Sequence, residues 1–174
     1  MIVPELSTER LVLRGPTLAD FPHCAALWAD PEVVRFIGGQ VSTREQAWAR
    51  LLRYVGHWEL LGYGFWVATD RATGRFAGEL GVARFERDLA PALGDFEAGW
   101  VLAAWAHGRG LATEAMRAVL AWTDARFADR PTACLIDLGN TASHRVATKL
   151  GYRELGRRTY HDEECIAYTR SPSR

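Results

Sequence analysis

Along the chain, hydrophobic and polar positions predict an ordered run of strands and helices. Thr8 to Arg14 alternates as a first strand and stops at Gly15-Pro16. Thr17-Leu-Ala-Asp20 has the form of a capping box opening a helix to Ala29, with Pro22 tolerated in its first turn. Asp30-Pro31 closes that helix, because the residue before a proline disfavours helical dihedrals. Ser42-Thr-Arg-Glu45 is a second capping box, and Ala47, Leu51, Tyr54, Val55 and Trp58 follow at helical spacing. Tyr63–Thr69 and Arg75–Phe85 read as a hairpin across Asp70–Gly74, with Gly78 and Gly81 pointing to a bulge or a close approach.

After a loop over Asp88–Gly94, a strand is predicted at Phe96–Leu102. The strongest helix then spans Leu111 to Arg126, with Leu111, Ala115, Ala118, Val119 and Trp122 on one stripe. A short apolar strand at Ala133–Leu138 leads to a helix from Thr141 to Leu150, stopped by Gly151. Tyr152–Tyr160 and Glu164–Thr169 form a last hairpin across His161-Asp-Glu. The order β-α-α-β-β-β-α-β-α-β-β is mixed α/β, with antiparallel pairs early and late and a helical crossover between.

Composition narrows the class. The 174 residues are 48% hydrophobic and 24% charged, as expected of one globular domain over 1–174. No apolar run spans a bilayer, and Met1-Ile-Val-Pro-Glu5 lacks the form of a signal peptide. Cys24, Cys134 and Cys165 are odd in number and widely spaced, which fits buried thiols in a reducing cytoplasm better than disulfides or zinc. The 21 basic and 21 acidic residues cancel, so no nucleic-acid surface is indicated. Lysine occurs once, at Lys149, which reads as the mark of a GC-rich genome.

Chemistry concentrates at Trp105-Ala-His-Gly-Arg-Gly-Leu-Ala-Thr-Glu114, where a strand ends, two glycines follow and a helix starts. Unpaired N–H groups and the positive end of a helix dipole suit a phosphate. Gly108 and Gly110 let an anion approach the backbone, although the same glycines also suit a turn that needs positive φ. A Walker A loop is absent, and a Rossmann fingerprint would want glycine at Thr113.

His107-Gly-Arg-Gly-Leu-Ala112 resembles the acyl-CoA loop Q/R-x-x-G-x-G/A of the GCN5-related N-acetyltransferases (GNAT), with Gly110 and Ala112 matching and His107 departing. Thr8-Glu-Arg-Leu-Val-Leu-Arg14 and Gly108-Arg-Gly-Leu-Ala-Thr-Glu-Ala115 are similar to blocks of its ribosomal-protein N-terminal acetyltransferase (RimJ/RimL-like) branch. Asn140-Thr-Ala-Ser-His-Arg-Val-Ala-Thr-Lys-Leu-Gly-Tyr152 resembles that branch's N-x-x-S-x-x-V-x-x-K-L-G-F/Y. The resemblance implies a GNAT fold: a mostly antiparallel sheet splayed in the middle and flanked by four helices. It also implies acetyl-CoA as co-substrate and an amine acceptor, either a small molecule or a protein N-terminus. Pantetheine would pair near Val101, Leu102 and Ala103, and the diphosphate would lie on Gly108, Arg109, Gly110, Leu111, Ala112 and Thr113 beside His107.

For catalysis the resemblance offers a backbone N–H near Leu102 for the oxyanion, Asn140 for pantetheine and Ser143 for the departing thiolate. Asn140 and Ser143 also fit as N-cap and third helical residue. Relatives place a tyrosine acid where Ala147 stands here, which leaves Ser143 as the better candidate. Glu97 is the candidate base on the strand before the loop, with Asp95 and Glu79 as rivals. Histidine spacing offers no metal site, His161-Asp-Glu-Glu-Cys165 falls on a hairpin tip, and no metal is expected. Phe36-Ile-Gly-Gly-Gln40 and the Tyr160–Glu163 hairpin are expected on the acceptor side. The alternative is a non-catalytic module that binds acyl-CoA or a partner, as monomer or homodimer.

Overall fold

The computed structural model describes residues 3–172. Met1 and Ile2, part of the start read as lacking a leader, lie outside the described residues. The elements are β1 (Leu6–Ser7), β2 (Leu11–Arg14), α1 (Phe21–Trp28), α2 (Pro31–Val34), α3 (Arg44–Leu61), β3 (Phe65–Asp70), β4 (Phe76–Ala83) and β5 (Glu97–Leu102). They continue with α4 (Leu111–Arg126), β6 (Thr132–Asp137), α5 (Thr141–Lys149), β7 (Arg153–Tyr160) and β8 (Glu163–Arg170). Among the described residues they build one eight-stranded sheet in the order β1-β2-β3-β4-β5-β6-β8-β7. It is the expected mixed α/β architecture, mostly antiparallel, with β5 and β6 as its parallel pair.

Three local expectations shift. The expected strand Thr8–Arg14 is shortened to β2, because Thr8 N–H donates to Leu11 O and Leu11 N–H to Thr8 Oγ1, closing a tight turn that separates β2 from β1. Pro31 opens α2 as well as following α1. Its fixed φ suits the first helical position, and Asp30 caps the start by accepting from Glu32 N–H. The cap of α3 is Thr43 rather than Ser42. Thr43 Oγ1 accepts from Gln46 N–H while Gln46 Oε1 accepts from Thr43 N–H, so the box is one residue later than its sequence suggests.

The remaining pattern follows its chemistry. Gly62 ends α3 in the left-handed region, and Gly151 adopts the same sign of φ after α5. The last hairpin turns through His161 and Asp162, both at positive φ, as a two-residue primed turn requires. Gly78 sits beside an irregularity of the β3–β4 ladder, and a Cβ there would run into the carbonyl of Val101. That close approach lets β4 and β5 pair in register to Leu102.

The core lies between the sheet and α4, where Met116, Val119 and Leu120 meet Leu11, Leu13 and Leu80. Trp58, Trp66 and Trp122 pack edge to face, with ring centres 4.5 to 5.7 Å apart, and fasten α3 and α4 to it. Cys24, Cys134 and Cys165 are buried free thiols.

At the entry to α1, Arg14 grips the buried Asp20 through two hydrogen bonds of 2.7 and 2.8 Å, and Thr17 donates from both its N–H and its hydroxyl. Burial pushes the Asp20 carboxyl up, but the Arg14 and Thr17 hydrogen bonds overcome it and hold its pKa below the usual 3.8. A depressed carboxyl stabilises the fold fully above its unfolded pKa and loses that contribution as pH falls through the folded one. Asp20→Asn is therefore expected to cost about 2–3 kcal/mol in urea titrations at pH 7. The gap to the parent should narrow below pH 4.

Candidate active site

β5 and β6 touch at one register, Glu97 opposite Ala133, and then part. β5 stays bonded to β4 through Leu102, and β6 to β8 through Asp137, so the parting opens a gap without fraying either strand. Antiparallel ladders alternate the direction of their backbone groups. Ala103 N–H donates to Ala77 O, which turns the polar groups of Val101 and Ala103 toward β4 and those of Trp100 and Leu102 toward the gap. Of the expected pantetheine positions, Leu102 thus faces the gap with its backbone, while Val101 lines the cleft with its side chain.

The gap is a cleft of 340 Å³, lined by β5, β6, the start of α5, the α2–α3 loop, α3 and Tyr160. Phe36, Ile37 and Tyr160 are in its wall, on the side expected for the acceptor. Glu97, Asn140 and Ser143 are brought together there. Asn140 Oδ1 caps α5 by accepting from Ser143 N–H at 3.0 Å, which leaves its amide NH₂ as a donor. Trp100 Nε1 donates to Ser143 Oγ at 3.2 Å across the gap, so the serine proton is free to turn elsewhere. Ala147, at the position of the absent tyrosine, is fully buried.

The three carboxylates named from the sequence separate clearly. Glu97 faces the cleft but is gripped by Arg87 through contacts of 2.6, 2.7 and 3.0 Å. Asp95 is half exposed outside the cleft and pairs with Arg84 and Arg130. Glu79 lies buried beneath the cleft, where Trp28 Nε1 donates to its Oε2 at 2.8 Å and its Oε1 has no hydrogen-bond partner. Burial pushes the Glu79 carboxyl up, against the pull of Cys24, Trp28 and Arg50.

The glycine loop stands at the far end. Gly108 and Gly110 both have positive φ, so the turn itself requires glycine. A Cβ at Gly108 would meet nothing, and one at Gly110 only the Arg10 guanidinium, so the surface over the loop is open. The first internal bond of α4 is Glu114 N–H to Gly110 O, and the N–H groups of Leu111, Ala112 and Thr113 precede it. His107 Nε2 lies 2.8 Å from Leu102 O and ties the loop to the end of β5. The Arg109 guanidinium lies over the Trp105 ring, 5.3 Å from its centre.

Sequence reasoning missed Arg10. Its Nη1 donates to Arg109 O and its Nε to Glu114 Oε2, placing a guanidinium beside the α4 N-terminus. It also missed Arg50, Arg53 and Arg87, which line the acceptor side. Arginines on an amphipathic helix and in a loop carry no local signal that separates them from solvated surface.

A family model described as the acetyltransferase (GNAT) domain matches residues 10–153. The YkkB protein of Bacillus subtilis (strain 168), uncharacterized in activity, is 34% identical over 157 residues, 84% of each chain. A Bordetella pertussis structure assigned to the GnaT acetyltransferase family is 31% identical, covers 97% of this chain and 99% of its own, and superposes with a TM-score of 0.86. An acetyltransferase from Agrobacterium tumefaciens str. C58 gives 26% identity, 98% and 95% coverage and a TM-score of 0.83. Ribosomal-protein acetyltransferases share the fold alone. The S5-alanine enzyme of Vibrio fischeri is 17% identical (coverage 98% and 97%, TM-score 0.75), and RimL solved with coenzyme A is 16% identical (98% of each chain, TM-score 0.74).

A carboxyl whose folded pKa is raised favours the fold below its unfolded pKa and costs stability as pH rises through the folded one. Glu79→Gln removes that titration while keeping an acceptor for Trp28. Thermal melts from pH 4 to 8 should show the variant gaining on the parent as pH rises. A constant difference would mean that Glu79 does not titrate against burial.

Proposed function

Because the chain belongs to the acetyltransferase (GNAT) family, whose members depend on acyl-CoA, we propose that it moves an acetyl group from acetyl-CoA to a primary amine by direct attack in a ternary complex. We take residues 1–174 as one acetyltransferase domain. The observation that carries the reading is the parting of β5 and β6. It exposes backbone donors along one edge and leads to the open amides of the α4 start, which suits an extended, amide-bearing ligand with an anionic end. The ribosomal-protein acetyltransferases among the structural neighbours act on protein N-termini, and a protein N-terminus remains within this acceptor class.

The residues then divide the work. Trp100 and Leu102 offer backbone N–H groups into the gap, of which the Leu102 N–H takes the developing oxyanion. Asn140 holds the pantetheine with its amide NH₂. Gly108 to Thr113 receive the diphosphate, with His107 bracing the loop and Arg109 at its edge. The amine attacks the thioester carbon and gives up a proton, which Glu97 receives through water. The carbon–sulfur bond breaks, and the Ser143 hydroxyl, oriented by Trp100, donates to the departing sulfur. The Arg87 grip fixes the Glu97 carboxylate in the cleft. A module that only binds acyl-CoA is disfavoured, because family membership points to an enzyme.

Acetyl-CoA with an amine panel and a thiol-release readout tests the reading. Folded protein that binds no acetyl-CoA at millimolar concentration would sink it. Gly110→Ala should weaken acetyl-CoA at least tenfold, equivalent to about 1.4 kcal/mol. The left-handed φ alone should destabilise the fold by about 1–2 kcal/mol, measured separately by melting. Binding equal to the parent would leave the glycines serving only the turn. Glu97→Gln should lower kcat at least tenfold with little change in KM for acetyl-CoA, whereas a purely structural Glu97 would lower stability and leave kcat of the folded protein intact.

A further inference from the structure

The acceptor side of the cleft is cationic in a way that acetyl transfer alone does not need. Arg50 and Arg53 stand three residues apart on α3, both lining the cleft and both lining the adjoining cavity of 660 Å³. Positions three apart on a helix share a face, and like charges there repel. Neither arginine makes an ion pair or a hydrogen bond to a carboxylate among the described residues, unlike Arg87, which Glu97 neutralises. Arg50 Nε is buried with no hydrogen-bond partner. Its guanidinium lies flat on Trp28, 3.5 Å from the ring centre, and that of Arg53 reaches toward Phe85. Two planar donor groups are thus positioned by aromatic rings, Arg50 also meeting the buried Tyr54 hydroxyl, and neither is paired with a carboxylate among the described residues.

Among the described residues, no neighbouring carboxylate forms an ion pair with them. Asp137 accepts from Gly139 N–H, and Glu97 is taken by Arg87. Glu79 accepts from the edge of the Trp28 indole whose face carries Arg50, and it feels that charge without forming an ion pair with it. Its burial disfavours the charged form. The adjoining cavity brings Gln40, Ser42, Gln46 and His161 and no acidic residue. Desolvation, with the charges of Arg50 and Arg87, pulls the Arg53 guanidinium below its usual pKa against the opposing pull of Tyr54 and Glu79.

We propose that Arg50 and Arg53 form an oxyanion-binding subsite, so the acceptor is a small amine carrying a carboxylate or phosphonate rather than a polyamine. The inference rests on the acetyl-transfer reading for the amine and on the arginines alone for the anion. A guanidinium pair grips such a group through two parallel N–H···O bonds from each fork, which sets the amine's direction as well as its affinity.

The test presents acetyl-CoA with L-α-amino acids of graded size, their carboxamides, 2-aminoethylphosphonate and 1,4-diaminobutane, reading thiol release. The parent should favour at least one anionic amine at least tenfold in kcat/KM over its uncharged counterpart, and over the diamine. Carboxylate and phosphonate arms identify which oxyanion fits. Arg53→Gln and, separately, Arg50→Gln should raise KM for that acceptor at least tenfold and change the carboxamide less than twofold, and Arg53→Lys should recover part of the loss. A parent that uses carboxamides or the diamine as well as the acids overturns the inference, as does an anion preference that survives both substitutions. If no amine releases thiol, the transfer reading fails by itself. The subsite is then decided by calorimetry in the presence of CoA: N-acetylated amino acids binding tenfold tighter than their amides support it, and equal binding ends it.

Discussion

The parting of two parallel strands after a single shared register governs the rest of this molecule. A parallel pair normally continues while both strands stay extended, and its helical crossover covers one face. Here β5 and β6 each remain fully paired to their outer neighbours. The unsatisfied edge groups are therefore concentrated at the centre of the sheet, where buried N–H and C=O groups are costly without partners. On the proposed reading, a bound extended ligand supplies those partners. The crossover places the start of α4 beside the same gap, so one topological feature provides both a strand edge and a helix end with open N–H groups.

That constraint also explains which parts were readable. The span Leu111–Arg126 matches the structure because two glycines at positive φ and an apolar stripe are local signals. The α5 cap at Asn140 and the stop at Gly151 are local too. The break between β1 and β2 is different. It is secured by Thr8 and Arg10 meeting Glu114, which lies more than a hundred residues away in sequence. The cap of α3 fell one residue off because Ser42 and Thr43 both qualify, and the reciprocal partner Gln46 decides between them.

The glycine loop and the α5 cap were legible, and the arginines of the cleft wall opaque, for the same reason. Backbone amides, glycines and caps have short sequence signatures, and these mark where an invariant part of a ligand binds. Specificity comes from long side chains on separate elements. Arg50 and Arg53 are polar positions of an amphipathic helix, and Arg87 sits in a loop, so their convergence appears only after folding. Glu97 was readable as a cleft carboxylate, but its grip by Arg87 was not.

The charge arrangement of the acceptor wall separates two demands that compete in any amine transferase. A base must be able to take a proton, and a subsite for an anion must be positive, yet each cation near a carboxylate weakens it as a base. Arg87 is committed to Glu97, whereas Arg50 and Arg53 stand on another element, against Trp28 and Phe85. Trp28 links this wall to the interior, because its indole carries Arg50 on one face and hydrogen-bonds the buried Glu79. A guanidinium stacked on an aromatic face keeps its in-plane donors available. The aromatic wall therefore holds two guanidinium groups that pair with no carboxylate among the described residues, in a chain whose formal net charge is zero.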